Sequence, residues 1–211
     1  MRVLVACEES QAVTIELRKL GHEAYSCDLL PCSGGHPEWH IQGSALELLN
    51  EKWDMIIAFP PCTYLSKAGA CRLYPKANKM DLIRYEKGLK AKDFFMQFLK
   101  ADCDLIAVEN PVSLSVFNMP NFTQEIQPFE YGHPYTKKTR LWLKGLPKLE
   151  PTNIVGVQGT YLPSNTSRNA YTGLNDNKTR CSKQASKTFK GIAEAMAYQW
   201  TTKKVNQYKL F

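Results

Sequence analysis

Short apolar segments alternate with helical segments over the first sixty residues, and this alternation limits the fold more than any other feature. Arg2–Cys7 and Trp53–Phe59 have continuous apolar centres, and Glu23–Cys27 is another candidate strand. Strands that are apolar on both faces are typical of a parallel sheet covered by helices on both sides. The sequence therefore predicts an α/β class protein with a doubly wound, Rossmann-like fold and a mostly parallel sheet. Such a fold binds its ligands at the carboxyl ends of the strands.

The predicted helices lie between and after these strands. Ser10–Leu20 has apolar residues at helical spacing and stops at Gly21, a residue type that favours a helix C-terminus. Three more helices are expected, over Ala45–Asn50, Asp81–Ala101 and Ile192–Trp200. In the long third helix the residues expected to face the core are Leu82, Tyr85, Leu89, Phe95, Phe98 and Leu99. Two further strands are predicted at Leu105–Val108 and Arg140–Leu143.

The length and composition predict one domain that covers residues 1–211. With 44% hydrophobic residues the chain can bury a substantial core. The first residues lack the pattern of a signal peptide, and no apolar run reaches the length of a membrane span. We therefore expect a cytoplasmic protein without a membrane segment, whose seven cysteines are free thiols.

The charge of the chain is moderately basic, with a net charge of +7 and a pI near 9.0. Lys and Arg residues are concentrated at 137–144 and 178–190. Basic clusters bind polyanions because they displace counterions from phosphates. A basic protein without such a partner is the alternative, but the clustering favours nucleic acid.

Two motifs with reactive side chains follow predicted strands. Pro60-Pro61-Cys62 comes directly after an apolar strand, and two prolines would stiffen the backbone that presents the thiol. Glu109 follows the next strand, where partial burial would raise the pKa of its carboxyl group. A Pro-Pro turn with an incidental cysteine, and a Glu-Asn-Pro helix start, are the structural alternatives.

A third motif combines glycine, proline and cations before a predicted strand. Gly132-His133-Pro134 is followed by Lys137-Lys138-Thr139-Arg140 and the apolar Leu141-Trp142-Leu143. A guanidinium group at the sheet edge could hold a carboxylate, a phosphate or a base carbonyl with two hydrogen bonds. A solvated basic turn is the alternative.

These motifs occur in the order found in cytosine-C5 DNA methyltransferases, which the chain resembles. It is also similar, over most of its length, to small phage and prophage proteins identified as DNA cytosine methylases. The runs that carry this resemblance are His40–Gly43, Pro60–Leu65, Val108–Pro111, Gly132–Pro134 and Leu141–Pro147. The resemblance implies the S-adenosylmethionine-dependent form of the Rossmann-like fold and a DNA (cytosine-5)-methyltransferase activity.

The resemblance also implies catalytic roles. Cys62 would attack C6 of cytosine, and a protonated Glu109 would hydrogen-bond to N3 of the ring. Arg140 and Lys138 would hold the base carbonyl or order Glu109. The target base would have to leave the DNA stack. The loop Thr63–Lys79 would close over this base as a lid.

The implied cofactor is S-adenosyl-L-methionine. Family members have a glycine-rich turn after the first strand, whereas this chain has Ala6-Cys7-Glu8-Glu9-Ser10. Acidic residues there disfavour a phosphate ligand and suit a cationic one. Asp28 matches the acidic residue that binds ribose in this fold, with an N-cap or loop aspartate as the alternative. We expect cofactor contacts from Ala6, Cys7, Glu8, Ser10, Asp28, Leu29, Ser44, Pro60, Ser186 and Thr188.

The implied partner is DNA, duplex or single-stranded. A reduced, loop-rich recognition segment is predicted at about 147–186. The expected nucleic-acid contacts are Lys137, Arg168, Arg180, Lys183 and Lys187. Because this segment is short, modification of free cytosine nucleotides is an alternative function. Because the first loop has no glycine, a catalytically inactive nucleic-acid-binding relative is another.

One spacing resembles a zinc site. Cys27, Cys32, His36 and His40 follow one another at intervals that zinc ligands can have. However, Cys27 belongs to a predicted core strand, and His40 opens one of the family-like runs. We therefore expect no metal site.

Overall fold

A seven-stranded sheet forms the centre of the protein. The computed structural model describes residues 1–76, 79–160 and 187–202. The strands within these ranges are β1 (Arg2–Ala6), β2 (Glu23–Asp28), β3 (His40–Gln42), β4 (Met55–Ala58), β5 (Ile106–Pro111), β6 (Gln124–Ile126), β7 (Tyr135–Thr136), β8 (Thr139–Lys144) and β9 (Gly159–Thr160). The sheet order is β3-β2-β1-β4-β5-β8-β6, and β7 pairs separately with β9. The five strands β1 to β5 are parallel, whereas β8 runs antiparallel to β5 and β6.

Helices cover both faces of this sheet. They are α1 (Ala12–Lys19), α2 (Ala70–Leu73), α3 (Leu82–Leu99) and α4 (Lys190–Thr202). α1 and α4 pack against each other on one face, and α3 packs against the other. None of the helices in the described ranges is both long enough and apolar enough to cross a membrane. The predicted doubly wound, Rossmann-like α/β fold with a mostly parallel sheet is confirmed.

The two core clusters follow from the alternation of side chains along the strands. In β1, Val3 and Val5 point to the cluster that contains Trp200 of α4. Leu4 points to the opposite face, where Phe95 of α3 is fully buried. Because β1 is buried on both faces, all its central positions must be apolar, which is why the sequence marks it so clearly.

The start and end of α1 are set by two residues with left-handed backbone. Gln11 has φ 57°, and the helix begins at Ala12 rather than at the predicted Ser10. Gly21 has φ 81°, and Gly21 and His22 donate their backbone N–H groups to carbonyls of the last turn. This pattern of two hydrogen bonds is the Schellman motif, and the predicted glycine stop is confirmed.

Two expectations about helices were wrong. The segment Ala45–Asn50 forms only one 3-10 turn, over Glu47–Asn50. In α3, Leu82 is 68% exposed and Leu89 is 38% exposed, although their spacing suggested core positions. The reason is that only the second half of α3 lies on the sheet, and its first half extends beyond it. That first half packs on a third, small cluster around Leu65, Leu73 and Phe117.

Candidate active site

Cys62 and Glu109 meet at the carboxyl edge of the sheet. Their strands, β4 and β5, are parallel neighbours with Ala58 opposite Val108, so the residues that come next lie side by side. The backbone carbonyl of Cys62 accepts hydrogen bonds from the N–H groups of the residues three and four positions later, at 3.0 and 2.9 Å. Glu109 lies near enough to Cys62 for its negative charge to raise the pKa of the thiol.

Asn110 links these two segments. Its side-chain Nδ2 donates to the carbonyl oxygen of Pro60 at 3.1 Å, and the residue is fully buried. Its Oδ1 is buried without a hydrogen-bond partner among the described residues. Sequence reasoning did not single out Asn110, which fixes the Pro-Pro turn that presents Cys62.

Burial dominates the electrostatics of the pair. It raises the pKa of the Cys62 thiol, and the negative charge of Glu109 raises that pKa further, while Lys137 lowers it. Burial likewise raises the pKa of Glu109, against the opposing charge of Lys137. Both groups therefore favour their protonated forms. Because a protonated Glu109 carries no charge, it no longer opposes formation of the Cys62 thiolate.

Arg140 and Lys138 do not lie where the sequence placed them. In the register of β5 and β8, Leu141 is opposite Glu109, so the neighbouring Arg140 points to the other face of the sheet. Arg140 Nε lies 3.3 Å from Glu125 Oε2, and Lys138 Nζ lies 3.3 Å from Glu125 Oε1. The expectation that either cation orders Glu109 was therefore wrong.

Among the described residues, Lys137 is the cation whose charge acts on the pair. Its charge lowers the pKa of both Cys62 and Glu109. Its backbone N–H donates to Gln127 Oε1 at 2.9 Å, and its ammonium group lies 5.6 Å from the ring centre of Phe189. The sequence analysis assigned Lys137 to DNA contacts. Lys137 is an even number of residues from Leu141, the residue opposite Glu109, but this register cannot be read from the sequence.

The loop after β1 makes a glycine-type turn without glycine. Cys7 has φ 59°, in the left-handed region that favours glycine. Glu8 then turns its carboxylate onto the start of α1. Oε1 accepts from the N–H of Val13 at 2.7 Å, and Oε2 accepts from the N–H and hydroxyl of Thr14 at 3.2 and 2.8 Å. The structure thus gives the Glu8 carboxylate the role of a helix cap, not the expected position facing a cofactor.

Two other carboxyl groups of this edge, those of Glu9 and Asp28, have fewer hydrogen-bond partners than Glu8 among the described residues. Glu9 Oε2 is buried without a hydrogen-bond partner in the described part of the chain. Asp28 uses Oδ1 locally, accepting from the N–H of Leu30 at 2.9 Å, which fits the loop-aspartate alternative for one oxygen. Leu29 beside it is 73% exposed, an unusual position for a large apolar side chain.

The last helix returns to the same edge. The N–H of Gly191, in the first turn of α4, donates to His133 Nε2 at 3.1 Å. The ring of Phe189 lies 5.0 Å from the ring of His133. Thr188 and Lys187 precede Phe189 directly and so reach the vicinity of Lys137.

The remaining predicted residues divide into two groups. The first group lies at the carboxyl ends of β1 to β4 or in the loops that follow: Ala6, Cys7, Ser10, Asp28, Leu29, Ser44 and Pro60. The second group lies outside the described residues: Arg168, Arg180, Lys183 and Ser186.

The zinc-like spacing does not form a cluster. The two ring nitrogens of His40 lie 2.8 Å from Ser26 Oγ and 2.9 Å from the carbonyl oxygen of Leu30. The Cys27 thiol is buried and contacts the carbonyl of Gly43. Within the ranges that the structure describes, no group of His, Cys, Asp and Glu side chains is arranged to hold a metal ion.

The segment predicted as a lid is largely folded. Lys67–Gly69 forms a 3-10 turn that leads directly into α2. Leu65 and Leu73 are buried and pack with Phe117. We call residues 63–76 and 79–92 the α2–α3 lobe.

The chain was compared with family models, curated proteins and solved structures. No family model and no curated protein matches the chain. Among solved structures, a candidate DNA modification methyltransferase encoded within a prophage of E. coli has a similar fold, with a TM-score of 0.42 and 14% sequence identity. The match covers 74% of this chain and 52% of that protein, so the chain spans about half of its length.

Proposed function

We propose that the protein transfers a methyl group from S-adenosylmethionine to C5 of cytosine in DNA, through a covalent bond to Cys62. The observation that carries this proposal is the grouping of Cys62, Glu109 and Lys137 at the carboxyl edge of the sheet. A partly buried thiol next to a carboxyl group with a raised pKa and one cation suits nucleophilic attack on a ring that must also be protonated.

Cys62 would supply the nucleophile. Its sulfur would form a bond to C6, and the electrons of the C5–C6 double bond would make C5 nucleophilic. Burial raises the pKa of Glu109, and in its protonated form Glu109 would donate a hydrogen bond to N3 and offset the negative charge that develops on the ring. After methylation, loss of the C5 proton to water would restore the double bond and release the Cys62 sulfur.

The thiol must lose its proton, to water, before its sulfur attacks C6. Burial and Glu109 both hold the pKa of Cys62 above its ordinary value. Lys137 opposes this shift, and a proton on Glu109 removes one of its causes. Lys137 and Glu109 would thus act together, one through its positive charge and the other by being neutral.

The residues at the end of β1 and β2 fit the proposed cofactor. When bound, S-adenosylmethionine supplies an electrophilic methyl group on a sulfonium centre. The buried Glu9 Oε2 lacks a donor within the described chain, and an amino group would provide one. Asp28 would bind the ribose hydroxyls with its second oxygen, and the exposed Leu29 would pack against the adenine. Because Cys7 already has the left-handed backbone of a glycine turn, the missing glycines do not argue against binding.

DNA is the proposed substrate because the chain is basic, with a net charge of +7, and its Lys and Arg residues are clustered. A target base would have to leave the stack to reach Cys62. Free cytosine nucleotides are the second candidate, favoured by the small number of residues between β8 and α4 that could read a sequence.

Two measurements test the proposal. Tritiated methyl transfer to duplex DNA, single-stranded DNA and dCMP in parallel identifies the substrate. DNA that contains 5-fluorocytosine cannot lose its C5 substituent, so mass spectrometry should find a trapped adduct at Cys62. Cys62→Ser should abolish the adduct, and Cys71→Ser, at an exposed cysteine, is the matched control.

The role of Glu109 is tested with its amide. Glu109→Gln should lower turnover by about 10²–10⁴, the usual contribution of general acid catalysis. Cofactor binding should stay unchanged. An adduct at another cysteine, or full activity of the amide variant, would contradict the assignment.

A further inference from the structure

The α2–α3 lobe carries exposed cations that the proposed chemistry does not use. Six of them are exposed and form no ion pair in the described part of the chain: Lys67, Arg72, Lys76, Lys79, Lys87 and Lys90. The lobe contains only two acidic residues, Asp81 and Glu86. Asp81 is occupied as the N-cap of α3, where its side chain accepts from the N–H of Arg84 at 2.9 Å. The surface is therefore strongly positive.

The lobe is fixed next to Cys62. The N–H of Lys67 donates to the carbonyl of Val112 at 2.9 Å, and the N–H of Leu114 donates to the carbonyl of Leu65 at 2.8 Å. These bonds tie the residues after Cys62 to those after Glu109. The lobe also has its own small core, so its cations are held on a folded support.

The direction of α3 places the cations at the edge where the chemistry would occur. α3 ends shortly before β5 begins, and β5 runs toward the carboxyl edge, so α3 starts at that edge. Arg84 lies in its first turn and donates from Nη2 to the carbonyl of Thr63, the residue after Cys62, at 2.8 Å. Lys79 precedes this turn. Lys87 follows it one turn later.

Apolar side chains are exposed among these cations. Leu82 and Ile83 are 68% and 69% exposed, and Tyr74 is 39% exposed. The ring of Tyr64 lies under the guanidinium of Arg84 at 4.9 Å. Cations that contact phosphates, combined with apolar and aromatic groups that contact sugars and base faces, are typical of nucleic-acid surfaces.

We propose that the α2–α3 lobe is a nucleic-acid-binding surface that holds the phosphate backbone beside the target base. Lys67, Lys79 and Lys87 would contact phosphates, and Leu82 and Ile83 would contact sugars or base faces. This inference rests on the proposed function for the identity of the partner. It adds a surface to the nucleic-acid contacts that were expected from the sequence, which are Lys137, Arg168, Arg180, Lys183 and Lys187.

Three lysines at the opposite edge of the sheet provide a matched control. Lys52 lies just before β4, Lys100 just after α3 and Lys148 shortly after β8, and all three are exposed. Replacing them by Gln removes the same charge as replacing Lys67, Lys79 and Lys87. A second variant, Leu82→Ser with Ile83→Ser, tests the apolar contact without changing charge.

The experiment measures fluorescence anisotropy of labelled duplex and single-stranded DNA over a series of salt concentrations. The wild type should lose affinity steeply with salt, because each phosphate contact adds about 0.9 to the slope of log K against log salt. The lobe triple variant should weaken binding at least tenfold at low salt and reduce the slope by about 2 to 3. The control triple variant should change affinity by less than about twofold. Thermal unfolding confirms that each variant is folded.

The outcomes separate this inference from the proposed function. The lobe assignment would be overturned if the lobe and control variants lost DNA affinity equally, or if the lobe variant lost none. Methyl transfer by the wild type would be unaffected by either result. If the lobe variant alone loses binding but the wild type transfers no methyl group to DNA, the surface stands and the activity is wrong. A wild type that binds no DNA at low salt refutes the surface, and the dCMP assay then decides on the activity.

Discussion

Replacement of Glu8 by Gln tests how a buried carboxyl group supports the first loop. Two effects compete at this residue. Burial penalises the charged carboxylate, whereas the N–H groups of Val13 and Thr14 and the Thr14 hydroxyl stabilise it. Burial is the larger effect, and it raises the pKa of Glu8 from 4.5 to about 7. The folded state thus holds a proton that the unfolded chain releases.

The magnitude follows from this shift. Between pH 4.5 and about 7 the folded protein binds more protons at Glu8 than the unfolded chain does. The free energy of unfolding therefore decreases as the pH rises through this window. A shift of this size corresponds to roughly 3 kcal/mol at full effect. Glutamine does not titrate and resembles the protonated carboxyl group, so the variant should not show this decrease.

Urea unfolding followed by tryptophan fluorescence, at several pH values, measures the difference between wild type and Glu8→Gln. Taking the difference removes the contributions of other titrating groups, including Glu109 and His133, whose pKa values are also shifted by burial. From about pH 4 to about pH 8 the variant should gain roughly 3 kcal/mol relative to the wild type. A difference in the free energy of unfolding that does not change with pH would refute the raised pKa of Glu8. If the wild type instead gains stability relative to the variant as the pH rises, the three hydrogen-bond donors stabilise the charged carboxylate by more than burial destabilises it.

Three further outcomes follow from the structure. Lys137→Met should move the pH profile of Cys62 alkylation to higher pH, because Lys137 lowers the pKa of the thiol. Peptide mass spectrometry after iodoacetamide treatment measures this profile, and an unchanged profile contradicts the role assigned to Lys137. Gly88→Ala should lower the melting temperature, because a Cβ there overlaps the ring of Phe117 and overpacking costs about 1–3 kcal/mol, more than the better helix propensity of Ala returns. Asp28→Ala should weaken S-adenosylmethionine binding about tenfold in calorimetry, the effect of one charge-assisted hydrogen bond; unchanged affinity would remove Asp28 from the cofactor site.

The strand pattern predicted the sheet because its central strands are buried on both faces and must be apolar. Cys62 and Glu109 could be placed together because each comes at the end of a strand and parallel strands end at one edge. The choice among Lys137, Lys138 and Arg140 could not be made in this way. It depends on which residue of β8 lies opposite Glu109, a register that the sequence does not state.

The sequence also did not predict which side chains bind backbone groups or which apolar residues stay exposed. Glu8 was expected to face a ligand because its charge suits one, but the N–H groups at the start of α1 are close enough to take its carboxylate. Leu82 and Leu89 have the spacing of core residues, yet the sheet is too short to cover the first half of α3. Periodicity shows that a helix has an apolar face and does not show how far its partner extends.

The pairing of β7 with β9 has a consequence for how specificity could change during evolution. β9 lies beside Tyr135–Thr136, and Phe189 lies beside His133 and Lys137. The described residues at the two ends of the segment between β9 and Phe189 therefore lie at neighbouring points of the domain. Lengthening or exchanging such a segment would leave the strands of the described residues in place and would cost little closure entropy, about 0.6 kcal/mol for each doubling of length. New recognition elements could be inserted there while the site below stays unchanged.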